Sequence, residues 1–204
     1  MFSSRLNAAL LTFALGTGAG AAHATTITFD EFPTSSTTFL GAGDSFATNG
    51  YNFNVGQASV FFLNSGNGTT SMDLGGIVTV TNAASKPFSL ASIDLRTVWS
   101  PGTSTVKLTG IDVGGSQIIQ SYTISGANSP NPAAMITYSP TGFNNLTSLV
   151  MELVYNQTEA TYFSLVDNLV FNEQAVSAVP EPETWAMLGL GLAMVAGLSR
   201  RKRG

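Results

Sequence analysis

No cysteine occurs in the 204 residues, and histidine occurs once, at His23. The first absence excludes disulfide staples, thiolate metal sites and cysteine nucleophiles. Charge is scarce as well: 10% of the residues are Asp, Glu, Lys or Arg, against about 25% in an ordinary domain. The chain still does not read as a disordered acidic polymer, because 44% of it is hydrophobic and 13 residues are phenylalanine, enough for a core.

The few charges are unevenly placed. Arg5 precedes the short apolar run 8–15, and Ala22-His23-Ala24 has the small-x-small form that a signal peptidase accepts. Cleavage after Ala24 is expected, since the apolar run falls well below the ~20 residues of a membrane span. Cleavage there also removes His23, so the exported chain has no imidazole for a serine triad or a usual zinc site. From Thr25 to Gln174 ten acidic residues face three basic ones, Lys86, Arg96 and Lys107, a net charge of −7. Nucleic acid is excluded as a partner, because phosphate binding needs a cationic face.

The other cations close the chain. Val179-Pro180-Glu181-Pro182 is followed by Thr184 and Trp185, then by the apolar run 188–198, then by Arg200, Arg201, Lys202 and Arg203. The two prolines stop any preceding strand. Trp185 suits a bilayer interface, and the basic cluster would stay cytoplasmic while the body lies outside. From Trp185 to Leu198 a helix would rise only about 21 Å at 1.5 Å per residue, which suits a transient membrane contact better than a permanent span.

In order and spacing this tail resembles the PEP-CTERM sorting signal of exopolysaccharide-producing Gram-negative bacteria; such tails also carry an ice-binding C-terminal label, although nothing in this one forms an ice-binding surface. The resemblance covers roughly residues 178–204. It implies recognition of Pro180-Glu181-Pro182 by an exosortase, a membrane enzyme, and delivery of the body to the cell surface or extracellular matrix. Three segments follow: a signal peptide at 1–24, a body at 25–174 and a sorting tail at 175–204.

The body reads as β throughout. Runs rich in β-branched and aromatic residues occur at 26–29, 51–55, 59–63, 77–81, 90–98, 105–113, 117–124, 149–155 and 162–171, divided by Gly, Asn, Ser and Pro. Nine strands at that spacing predict an all-β fold, an antiparallel sandwich of jelly-roll type. Val113-Gly114-Gly115-Ser116 predicts a hairpin with a two-residue primed turn. The apolar phase shifts across Gly110, which predicts a β-bulge there. In the last strand Phe163, Leu165, Asp167, Leu169 and Phe171 alternate, so Asp167 is expected on the core face.

A buried carboxylate needs donors or a cation. If the first and last strands are neighbours, Asp30, Glu31, Asp167 and Asn168 could gather oxygens for a structural calcium ion, as in many carbohydrate-binding modules. The simpler expectation is that Asp167 accepts backbone N–H groups or pairs with Arg96. No other cofactor is indicated. Catalysis finds little support: the carboxylates Glu152 and Glu159, or Asp94 and Asp112, are the pairs available for glycoside hydrolysis, but Glu152 has solvent-facing parity and Asp94 shares a polar face with Arg96. No Gly-rich loop precedes a helix.

Uncharged Ser, Thr and Asn with exposed aromatics suit neutral sugars. Trp99, before the turn Ser100-Pro101-Gly102, is the first candidate; Tyr51, Tyr122, Tyr138 and Tyr155 follow. Threonine pairs such as Thr79 and Thr81 show no regular repeat of the kind an ice-binding array needs. The sequence therefore points to an exported, non-catalytic surface or matrix protein with a structural or weak exopolysaccharide-binding role. A calcium-stabilised lectin-like module is the alternative, and a secreted glycoside hydrolase comes third.

Overall fold

The structure, a computed structural model, describes residues 23–32, 39–57, 59–64, 69–97, 103–125, 134–154, 163–173, 187 and 189–192. Contacts divide the chain into two units, residues 22–174 and a second made of 1–21 with 175–204. In the second, residue 187 and residues 189–192 are helical, and Met187, Leu190 and Leu192 are exposed. Among the described residues no helix is long and apolar enough to cross a membrane.

The first unit is an antiparallel sandwich. Its strands are β1 (Ala24–Ile27), β2 (Leu40–Gly41), β3 (Ser45–Thr48), β4 (Tyr51–Gln57), β5 (Ser59–Asn64), β6 (Thr70–Leu74), β7 (Ile77–Asn82), β8 (Phe88–Thr97), β9 (Thr103–Asp112), β10 (Gln117–Ser125), β11 (Ile136–Tyr138), β12 (Leu146–Val154) and β13 (Ser164–Glu173). One layer runs β2-β5-β6-β13-β8, with β1 on β13 and β11 on β8. The other runs β3-β4-β7-β12-β9-β10. The layers meet in one bridge, Leu146 to Phe88. From β6 to β9 successive strands change layer, the wrapping expected of a jelly-roll-like sandwich.

Alternation builds the core. Tyr51, Phe53 and Val55 on β4, Val78 and Val80 on β7, Leu149, Met151 and Leu153 on β12 and Val106 and Leu108 on β9 all point inward and are buried. From the other layer come Val60, Phe62, Met72, Leu74, Ile93, Leu95 and Val166. Phe29 takes a left-handed backbone (φ 57°) just past β1 and packs its ring on Phe53 and Phe62, centroids 5.7 and 6.0 Å away.

All nine expected strands are present, with ends shifted by a few residues. Four were not foreseen: β2, β3, β6 and β11. Asn49-Gly50, both at positive φ between Thr48 and its partner Tyr51, is a two-residue hairpin turn and the signal that marks β3.

Two local expectations need correction. Gly110 itself is no bulge: it pairs regularly with Leu149 and continues the inward face of Val106 and Leu108, and the register shift of this strand pair falls on β12 instead, between Leu146 and Ser148 opposite Asp112 and Ile111. A Cβ there would stand 2.8 Å from Leu146 Cδ2 and 3.1 Å from Phe143 Cδ1, so glycine serves close packing. The hairpin after β9 is real but not primed. Asp112 N–H donates to Ser116 O, only Gly115 has positive φ (82°), and Asp112 Oδ1 accepts from Gly114 N–H and Ser116 N–H. This is a three-residue loop with its glycine in the left-handed position.

Candidate functional site

β13 carries a β-bulge of its own. Asp167 pairs with Asp94 and Val170 with Ser92, so β13 holds one residue more than β8 between them. Asn168, at φ 45°, takes up the excess. The bulge puts Val166, Leu169 and Phe171 in the core and turns Asp167 away from it. Asp167 is fully buried as expected, but on the outward face of its sheet rather than the core face.

Donors surround it there. Asp167 Oδ1 accepts from Asn168 N–H at 2.8 Å, and Oδ2 from Thr69 Oγ1 at 3.2 Å and Ser71 Oγ at 3.4 Å. Burial pushes its carboxyl up to about 6, the bonds from Asn168 and Thr69 hold it lower than burial alone would, and the charges of Asp30 and Asp94 raise it. The first strand does lie beside the last, with Ala24 opposite Asn172, and this brings Asp30 near. Asp30 Oδ1 is spent on Thr70 N–H at 2.8 Å, and Glu31 accepts from Thr48 Oγ1 on β3. Asn168 Nδ2 donates to Asp94 Oδ2 at 2.8 Å. Among the described residues no three acidic or histidine side chains are disposed as metal ligands.

The remaining candidates separate. Asp94 engages Asn168, while Arg96 Nε donates to Thr97 O at 3.4 Å. Glu152 faces outward as expected and forms an ion pair with Lys107, its cross-strand partner. Tyr51 is a core residue, stacked on Phe171 at 4.4 Å. Tyr122 and Tyr138 pack on each other at 4.5 Å against the core. Trp99, Ser100-Pro101-Gly102, Tyr155, Glu159, Ala22 and the sorting residues 179–185 and 200–203 lie outside the described residues. Ala24 is the first residue of β1, and Glu173 N–H donates to His23 O at 3.0 Å.

Sequence reasoning passed over a second buried carboxyl. Asp73 leaves β6 opposite in parity to Met72 and Leu74, is 5% exposed, and its Oδ1 has no hydrogen-bond partner. Burial alone pushes it up to about 7. Beside it on β5 stands Phe61, its register partner, and Phe61 meets the exposed ring of Phe39 at 5.0 Å. The solitary position of Asp73 in an apolar stretch was the available signal.

These features define a β-sandwich body followed by a sorting tail. The PEP-CTERM protein-sorting motif matches residues 178–203, which supports an exported protein targeted by an exosortase to the cell surface. No curated protein matches the chain. Among solved structures, the chain is similar to the CBM22-1 xylan-binding domain of Paenibacillus barcinonensis Xyn10C (14% identity, TM-score 0.40, 76% of this chain and 97% of that one). It is also similar to the family 11 carbohydrate-binding module of Clostridium thermocellum, solved with a β-1,3-1,4-mixed-linked tetrasaccharide (12% identity, TM-score 0.37, 77% and 99%). At such scores neither likeness carries weight for the site; the architecture rests on the strand pairing itself.

Proposed function

We propose that this protein is exported, held at the membrane only transiently by its tail, processed by an exosortase and left at the cell surface or in the extracellular polysaccharide matrix. There it acts as a non-catalytic structural component that binds polysaccharide weakly. The observation that carries this reading is the match of the sorting motif to residues 178–203, directly after a folded β-sandwich unit.

The body's chemistry supports a passive role. Asp112 holds a turn, Asp94 holds Asn168 and Glu152 holds Lys107, so these carboxylates are engaged in structure. The net −7 of residues 25–174 disfavours anionic polymers and leaves neutral ones as the fitting class.

Replacing Pro180, Glu181 and Pro182 together by alanine in the producing cell tests the sorting step. The expected outcome is a full-length protein retained in the membrane fraction. Normal shortening and normal surface delivery of that variant would overturn the reading.

A further inference from the structure

The outward face of the β5-β6-β13 ribbon is unlike the rest of the surface. One register row across it reads Phe61, Asp73, Leu165, and Phe39 extends that row past β5 through its ring contact with Phe61. Phe163, 39% exposed, lies one row away on the parity of Leu165, and its ring sits 3.2 Å from where a Cβ on Gly75 would be. Phe39 is 58% exposed. Three rings at least partly open to solvent therefore flank one carboxyl whose Oδ1 lacks a donor.

An oxygen left this way costs about 1–3 kcal/mol. The apolar neighbours in the row, Phe61 and Leu165, have no side-chain donor to offer, so the missing partner must come from outside the row. Asp73 is 5% exposed, so a ligand reaches its Oδ1 only after side chains of this face rotate about their bonds.

We propose that this face binds a neutral polysaccharide, with Phe39, Phe61 and Phe163 against the C–H faces of successive sugars and Asp73 bonded to a sugar hydroxyl. A sugar offers both things the face needs: an apolar ring face for the aromatics and a hydroxyl for the carboxyl. Polyanions are disfavoured by the acidic body, and the proposed sorting would leave the protein among cell-surface polysaccharides, of which the neutral ones fit this face. The assignment rests on the polysaccharide-binding part of the proposed function and gives it a location.

Affinity electrophoresis of the full chain through gels containing xylan, mixed-linkage β-glucan or dextran tests it. Retardation by at least one polymer is expected. Phe39→Ala should weaken that binding by ~tenfold, equivalent to about 1.4 kcal/mol, and Asp73→Asn should weaken it in the same gel. Ile119→Ala, an exposed change on the other layer, should leave it intact. Loss of binding in Ile119→Ala with Phe39→Ala unaffected would overturn the assigned face while leaving polysaccharide binding in place. No retardation of the unaltered protein in any gel would overturn both. Because Phe39 is exposed, its variant keeps the fold and a loss of binding cannot be ascribed to unfolding.

Discussion

Asp167 on β13 and Asp94 on β8 stand directly opposite one another, and Asn168 serves both: its backbone N–H donates to Asp167 Oδ1 and its side-chain amide to Asp94 Oδ2, each at 2.8 Å. Like charges in that relation repel. The bulge that places Asn168 at φ 45° also supplies the donors that make the pair tolerable. Asn168→Ala should therefore cost about 2–3 kcal/mol, from a lost bond to a carboxylate and an alanine forced into the left-handed region. Denaturant melts of the full chain should show a larger loss at pH 8 than at pH 5, where Asp167 is mostly protonated.

The two buried carboxyls make stability fall as pH rises. Asp73 goes from 3.8 to about 7 and Asp167 from 3.8 to about 6. Between those values the folded state binds more protons than the unfolded one, so the slope is negative. The contribution is full below pH 3.8, declines through the window and is gone above about 7. Asp73→Asn should flatten the upper part of a stability–pH curve, and an unchanged slope between pH 5 and 7 would show that Asp73 ionises normally.

Glycine is required at two positions for different reasons. At Gly75 a Cβ would stand 2.6 Å from the Ser59 carbonyl oxygen, which is itself bonded to Gly75 N–H. At Gly110 the obstacles are side chains, those of Leu146 and Phe143. Gly75→Ala should thus cost about 3 kcal/mol and Gly110→Ala about 1–2 kcal/mol. Equal costs in chemical denaturation would contradict the distinction between backbone and side-chain obstruction.

Lys107 and Glu152 form a cross-strand ion pair whose side chains remain about one-third exposed (35% and 31%). Solvent screens such a pair, so a double-mutant cycle should give a coupling of about 0.2–1 kcal/mol that shrinks in high salt. A coupling above about 2 kcal/mol would mean the pair is less hydrated than its exposure implies.

Much of the fold was legible in the sequence because strand formation is advertised locally. Alternation in runs such as Ile77–Asn82 and Phe88–Thr97 shows which side chains will be buried, whatever the partner strand. β3 was not foreseen: Asn49-Gly50 marks its turn, but its four residues are too few to show a period on their own. The tail was the most legible part, since a sorting signal is read as a linear string and needs no partner from elsewhere in the chain.

What the sequence by itself determined is therefore the class: an exported all-β chain with no cysteine, a strongly negative body and a terminal sorting motif. The tertiary structure decided where the extra residue in β13 falls, and with it which face Asp167 occupies. The reason is physical: a bulge forms where two strands must stay in register while one carries an additional residue, and that depends on β8 as much as on β13. The same holds for Asp73, whose burial and missing donor follow from β5 and β13 closing on either side of it. Its register partners, Phe61 on β5 and Leu165 on β13, lie 12 and 92 positions away, so the apolar stretch around Asp73 marks it as unusual without placing it.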